Sequence, residues 1–427
     1  MTRTGRIGAG LDGLNFFLAD VRDGLGPYLA IYLLTVQHWD EAKIGVVMTV
    51  MGVATVAAQT PAGAFIDWTR WKRAVVIVAA AVISAACVTI TLAPTFWAVA
   101  ACKALMGAMA AVFPPAIAAI TLGVMGPKVF TRRVGRNEAF NHAGNVTAAA
   151  LAGLIGWLVS PTAVFYMVSA FGLGSILSVL AIPANAIDHE QARGLRPDGG
   201  ADAGHNPSGL RVLLECRPLL VFAACVTLFH FANAAMLPMV GEKLALGDRQ
   251  AGTAYMSACI IAAQIVMVPM AMLVGRKADD WGRKPIFLAA FAVLPIRGLL
   301  YTLSDDRFWL VGVQALDGVG AGIFGALFPL VVADLTRGTG RFNVSQGAIA
   351  TAQGIGAAVS TSFAGFLQVR YGYHTAFLSL AGIAALGFLL FLVAMPETRQ
   401  SAAAQPIPGE RDVDGSGMPP RRRGAEA

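Results

Sequence analysis

The chain has 427 residues, 56% hydrophobic and only 13% charged, with a mean hydropathy of +0.64 and a formal net charge of +7. That composition excludes an ordinary soluble domain and a disordered chain alike. Apolar stretches near the ~20 residues a membrane-crossing helix needs recur along the whole sequence, and the alternating ten-residue segments of a β-barrel are absent.

Twelve spans are predicted, at about 8–36, 42–66, 74–93, 96–124, 136–159, 163–186, 216–240, 251–274, 284–303, 308–334, 342–368 and 373–395. With the N-terminus inside, the inner segments hold 24 Lys and Arg, and the outer loops hold five: Lys43, Lys243, Arg249, Arg307 and Arg370. This bias places both termini in the cytoplasm of a multi-pass protein of the cytoplasmic membrane. It also accounts for the basic balance without a nucleic-acid partner. No cleavable signal is evident, since MTRTGRIG leads straight into a full-length span. Cys87, Cys102, Cys216, Cys225 and Cys259 lie in spans or at the inner edge, so free thiols are expected.

The first span, LDGLNFFLADVRDGLGPYLAIY over Leu11–Tyr32, carries Asp20, Arg22 and Asp23 near its middle. Each such charge costs about 2.5–3.5 kcal/mol on an isolated inserted helix. At 100° per residue Asp12, Phe16, Asp20, Asp23 and Pro27 share one stripe, while Arg22 lies opposite beside Asn15 and Gly26. Asp20 and Asp23 are the candidate proton-coupling acids, and Asn15 and Arg22 are candidate solute ligands; a structural ion pair between helices is the alternative. The fourth span holds Lys103, with Gly107 four residues on. The fifth opens on a polar stripe of Glu138, Asn141, His142 and Asn145, with Asn141 and Asn145 deeper and Glu138 nearer the interface.

A polar, Gly- and Pro-rich stretch, DHEQARGLRPDGGADAGHNPSG, divides the chain. The organisation expected is a six-helix bundle over 1–186, a flexible cytoplasmic linker over 187–215, a second six-helix bundle over 216–396 and a disordered tail over 397–427. In the second half His230 and Asn233 mirror the charged part of the first span. Arg297 in the ninth span could meet an anionic group or pair with Asp317. An internal repeat at an offset of 212 relates Gly63, Asp67, Lys72 and Gly153 to Gly275, Asp279, Lys284 and Gly365, and sets Gln353 against Asn141. Repeated halves put a solute site at their interface near the midplane.

The repeat carries a recognisable loop. Gly275-Arg-Lys-Ala-Asp279-Asp-Trp-Gly282-Arg283-Lys284 fits the pattern G-x-x-x-D-x-x-G-[RK]-[RK] fully. Gly63-Ala-Phe-Ile-Asp67-Trp-Thr-Arg70-Trp-Lys72-Arg73 keeps the glycine, the aspartate and basic residues but has Arg70 where glycine is usual. With Pro396-Glu397-Thr398 after the last span, the sequence resembles the major facilitator superfamily of secondary transporters over residues 8–398. The resemblance implies an all-α fold of twelve transmembrane helices in two pseudo-symmetric six-helix bundles, and rocker-switch alternation. It also implies that the loops hold the cytoplasmic side shut, with Asp67 facing a helix N-terminus or an arginine of the other half. Lys103 followed by Gly107 is similar to a basic residue and glycine found there in relatives.

No P-loop, Cys/His metal spacing or H-E-x-x-H is present, so no enzyme, cofactor or metal is expected and transport would run on an ion gradient. Protons are preferred over sodium, because a carboxylate in a low-dielectric site can exchange protons near neutral pH. The expected activity is proton-coupled export (antiport) of a small organic compound by a monomer in a lipid bilayer. The charged first helix resembles those of proton-coupled exporters, although Ala149–Leu154 lacks the proline of the drug-exporter motif. Two alternatives stand beside it: a symporter for an organic anion, held by Arg22, Lys103 or Arg297, and a non-transporting membrane receptor or scaffold.

Overall fold

The structure, a computed structural model, describes residues 3–23, 25–195, 214–247 and 252–399. The first half comprises α1 (Arg3–Asp23), α2 (Gly26–Thr35), α3 (Glu41–Trp68), α4 (Lys72–Leu92), α5 (Phe96–Ala110), α6 (Phe113–Met125), α7 (Pro127–Leu158) and α8 (Ala163–Leu180). The second comprises α9 (Arg217–Ala234), α10 (Met236–Gly247), α11 (Gly252–Trp281), α12 (Arg283–Leu300), α13 (Arg307–Leu335) and α14 (Phe342–Ala394). Most of the expected linker (196–213) and the tail beyond Arg399 lie outside the described residues, so the flexibility and disorder expected there do too.

These helices make twelve crossings in two bundles. Eight stretches are long and apolar enough on length and hydropathy alone. One of them, α14, crosses twice: its 53 residues run to about 80 Å at 1.5 Å per residue, and Gly372 breaks it at φ 83°, leaving arms 342–371 and 373–394. The crossings made by α1–α2, α7 and α12 fall short on hydropathy because they carry charge.

Three crossings expected as continuous are broken. The first bends at Leu25, a buried leucine held at φ 72°, a conformation non-glycine residues rarely adopt. The fourth breaks at Ala111–Val112, ahead of Pro114 and Pro115, and the seventh at Ala235. The fifth begins at Pro127, nine residues before its expected start. Gly126 at φ 76° followed by proline at the first helical position explains that start. Loop ends are capped by side chains: Asp40 accepts from Lys43 N at 2.8 Å, and Asp306 from Trp309 N at 2.9 Å.

Buried apolar side chains form one cluster drawn from Ile7 to Ala192 and another from Leu219 to Met395, which Ala118, Leu122, Phe130 and Val134 join. The bundles meet along two seams, α3 against the first arm of α14 and α7 against α11. Both signature glycines stand on these seams. A Cβ on Gly63 would overlap the backbone of Asn343, and one on Gly275 would stand 3.0 Å from the Gly135 Cα. The repeat therefore has a packing cause at both copies.

Inside the first bundle the approach is as tight. A Cβ on Gly144 of α7 would overlap the Phe16 carbonyl of α1. Gly144→Leu is expected to lower the Tm of the detergent-solubilised protein, at a cost of about 1–3 kcal/mol, while far-UV circular dichroism stays unchanged.

Candidate functional site

A cavity of about 750 Å³ lies between the bundles, walled by α1, α3, α5, α6 and α7 of the first half and α13 and α14 of the second. Its size falls in the range of small-molecule sites. Of the residues singled out in the sequence, Asn15, Arg22, Lys103, Asn141 and Gln353 line it. Glu138 lines it as well, against the expectation that it sits nearer the interface. The early start of α7 places Glu138 three turns inside the helix, where Asn141 Nδ2 donates to its Oε2 at 3.3 Å. Thr55, Gln59, Thr121, Asn137 and Gln346 add hydrogen-bonding groups, and Met48, Met51, Phe324 and Phe328 add apolar surface.

Asp20 stands behind this wall. It is half-buried within the first bundle and does not line the cavity. The side chain of Asp23 lies outside the described residues. His142 sits on the α7–α11 seam, with Nδ1 2.9 Å from Gln264 Oε1 of the other half. Asn145, half-buried further along α7, lies off the cavity wall.

The polar residues of the second bundle form their own network one layer back. Arg297, almost wholly buried, pairs with Asp317 and donates to Asn233 Oδ1 at 2.6 Å. Gln314 Nε2 donates to the same aspartate at 3.0 Å, and Tyr301 donates to Gln314. His230 stacks edge-on against Phe324, ring centroids 4.7 Å apart, with Nδ1 3.1 Å from the Val226 carbonyl. Phe324 thus separates the cavity from this network.

A further chain of bonds was not foreseen. Asp12 of α1 accepts from Arg133 at 2.6 Å and from Arg136 at 2.7 and 2.9 Å. Arg133 Nε donates to Asn137 at 2.7 Å, and Asn137 donates to Thr121 at 2.9 Å. A salt bridge at the end of the bundle thereby fixes one amide and one hydroxyl of the cavity wall. Asp12 was visible on the acidic stripe, but its partner Arg133 fell outside the expected span.

The two matched loops close the end of the cavity where the linker starts. Asp67, 2% exposed, accepts from Asn343 Nδ2 at 2.8 Å and from the backbone N–H groups of Asn343 (3.3 Å) and Val344 (2.9 Å). These are orphan donors at the N-terminus of α14, so the carboxylate meets the positive end of a helix dipole. In the second copy Arg283 donates to Asp279 at 2.6 Å and to Asp334 at 3.1 Å, while Thr131 of α7 donates to Asp279 at 2.8 Å. Gly282, at φ 94°, makes the turn there in a single residue. With Arg70 at the matching place the first copy takes three residues, Thr69 to Trp71. Lys72 then donates to the Thr69 carbonyl at 2.7 Å, and Arg73 to that of Val179 at 3.2 Å. Lys284, half-buried in the first turn of α12, gives its backbone N–H to Glu397 at 3.0 Å, and Arg283 gives its own at 2.8 Å.

The start of the linker belongs to this closure. Asp188 N donates to the Gly123 carbonyl at 2.9 Å, and Gly338 N to that of Gly194 at 2.7 Å. Asn343 Nδ2, which holds Asp67, also donates to the Ala192 carbonyl at 3.0 Å. Residues 188–194 form a strap tied to both bundles.

Two pseudo-symmetric helical bundles enclosing a polar cavity, with matched loops closing one end, define a multi-pass membrane transporter. The family profile described as Major Facilitator Superfamily matches residues 8–296 and 219–412. An uncharacterized MFS-type transporter of Mycobacterium tuberculosis is 56% identical over 93% of this chain and 94% of its own length. The inner membrane transport protein YajR of Escherichia coli is 24% identical over 84% of this chain and 77% of its own. Among solved structures, the proton:xylose symporter XylE superposes with a TM-score of 0.71 at 14% identity, covering 92% of this chain and 96% of that one. The chain belongs to the Major Facilitator Superfamily, and it is a transporter of that family.

Glu397 offers a pH test of the second loop. Burial opposes its ionisation, but the backbone N–H groups of Arg399, Arg283 and Lys284 outweigh that and hold the carboxyl below its ordinary value. A folded-state value below the unfolded one means the stabilisation is present above the ordinary carboxylate range and is lost as pH falls through the folded value. Glu397→Gln is expected to lower the Tm at pH 7, and the gap from wild type to close as pH drops below about 4. Thermal melts at the two pH values check this.

Proposed function

We propose that the chain moves a small organic solute through the cavity between its bundles by alternating access, coupled to protons, with export as the direction. The observation that carries this reading is Glu138 on the cavity wall, beside Asn141 and in the same chamber as Arg22 and Lys103. A carboxylate in a chamber that opens to alternate sides can take up a proton on one side and release it on the other while the solute competes for it. Asp20, one layer behind, is the second acid of the relay. By the positive-inside bias the closed end is cytoplasmic, so the conformation described here faces outward. FucP, a family member solved in the outward conformation, superposes with a TM-score of 0.68.

Two cations against one carboxylate on the wall favour a second reading, proton symport of an organic anion held by Arg22 and Lys103. Proteoliposomes loaded with a pH-sensitive dye and challenged with panels of organic cations, anions and neutral amides separate the two. Uphill exit driven by inward protons supports export, and co-accumulation with protons supports symport. Glu138→Gln is expected to cut flux driven by a pH gradient by roughly tenfold or more, the scale of a lost proton-transfer group, while gradient-free exchange persists. Gradient-driven flux equal to wild type would remove Glu138 from the coupling role, and the same result for Asp20→Asn would remove Asp20.

A further inference from the structure

A second cavity, about 290 Å³, opens on the closed end beside the second of the matched loops. Its walls come from three separate parts of the chain: the α6–α7 turn of the first bundle, the α11–α13 end of the second, and the strap at Gln191, Gly194 and Leu195. Four cations line it, Lys128, Arg283, Arg337 and Arg399, against two carboxylates, Asp279 and Asp334. Arg283 is already committed to both carboxylates. Arg399 gives one guanidinium nitrogen to the backbone carbonyls of Asp279 and Asp280. Lys128 and Arg337 are exposed and, among the described residues, neither makes an ion pair or a side-chain hydrogen bond. Arg283 and Arg399 thus balance the two carboxylates at the floor of the pocket, and the surplus positive charge at its rim is that of Lys128 and Arg337.

A positive-inside loop needs cations but no hollow between them. Here the surplus rims a recess large enough for a phosphate group, and planar guanidinium and point-like ammonium groups are the usual pair for holding one. We propose that this recess binds a phosphate-bearing anion, either a phospholipid headgroup or a soluble phosphate ester, held by Lys128, Arg337 and Arg399. Because both bundles and the strap build the walls, the site is whole only while this end is shut. An anion bound there therefore favours the shut state by its differential affinity for it, and acts as a brake on alternation from outside the solute path. This goes beyond the transport reading, and binding is measured without transport, so either can fail alone.

The test uses the full chain purified in dodecyl maltoside. Calorimetric titration with pyrophosphate, against chloride of equal ionic strength, covers the soluble source. Native mass spectrometry with added phosphatidylglycerol covers the lipid source. The comparison is Lys128→Gln/Arg337→Gln, whose two side chains hold no described partner, with an unchanged Tm as the folding control. Binding of either probe that weakens about tenfold or more in the double variant, the scale of one or two lost charge-assisted bonds, supports the site, and the probe that binds identifies the source. No saturable binding of either probe, or equal binding by both proteins, overturns it. The brake is read separately from maleimide labelling of Thr60→Cys, on the α3–α14 seam and away from the recess. Slower labelling with the bound probe supports it, and an unchanged rate removes it.

Discussion

The rest of the structure depends on one carboxylate of the first bundle lodged against the start of a helix in the second. Asp67 has lost nearly all contact with water, and its compensation comes from two backbone N–H groups and one amide that belong to α14. A buried charge is tolerable only while such partners are in place. Separation of the bundles at this end would strand the carboxylate until water reached it. Thr60 and Thr351, hydroxyl to hydroxyl at 2.9 Å, continue the same seam toward the cavity.

The pseudo-equivalent seam solves the problem differently. Asp279 is half-exposed and answers to an arginine and a threonine hydroxyl instead of a helix end. The divergence traces to two positions, where Gly282 and Arg283 face Arg70 and Trp71 in the first copy. Glycine at 282 allows a one-residue turn that swings Arg283 back onto Asp279, whereas Arg70 forces a longer turn and leaves Asp67 to seek its partner across the interface. Hydrogen bonds to a charged group of this kind contribute about 1.5–3 kcal/mol each. A handful of them holds the two bundles together at this end.

The twelve crossings, the two halves and the matched loops were legible from hydropathy, repeat and spacing, because each is a local pattern. The breaks at Leu25, Ala111–Val112 and Ala235 were not, since they depend on how neighbouring helices bend the chain. The early start of α7 was hidden by Lys128, Arg132, Arg133 and Arg136, which read as a loop although one of them is buried in an ion pair. Missing those nine residues misplaced Glu138. The pairing of Arg297 with Asp317 was foreseen as one of two options. That of Asp67 with Asn343 was foreseen only as a class of partner, because nothing local links residues 276 apart.

The most direct measurement is the distance between nitroxide labels on Arg70→Cys and Thr339→Cys, exposed sites on either side of the Asp67 contact, by pulsed electron resonance in nanodiscs. With Asp67 intact a short population dominates, and in Asp67→Asn the account predicts growth of a population longer by about a helix diameter, ~10 Å. An unaltered distribution in the variant, at every pH and with every transported compound, would contradict the claim that this contact holds the bundles closed.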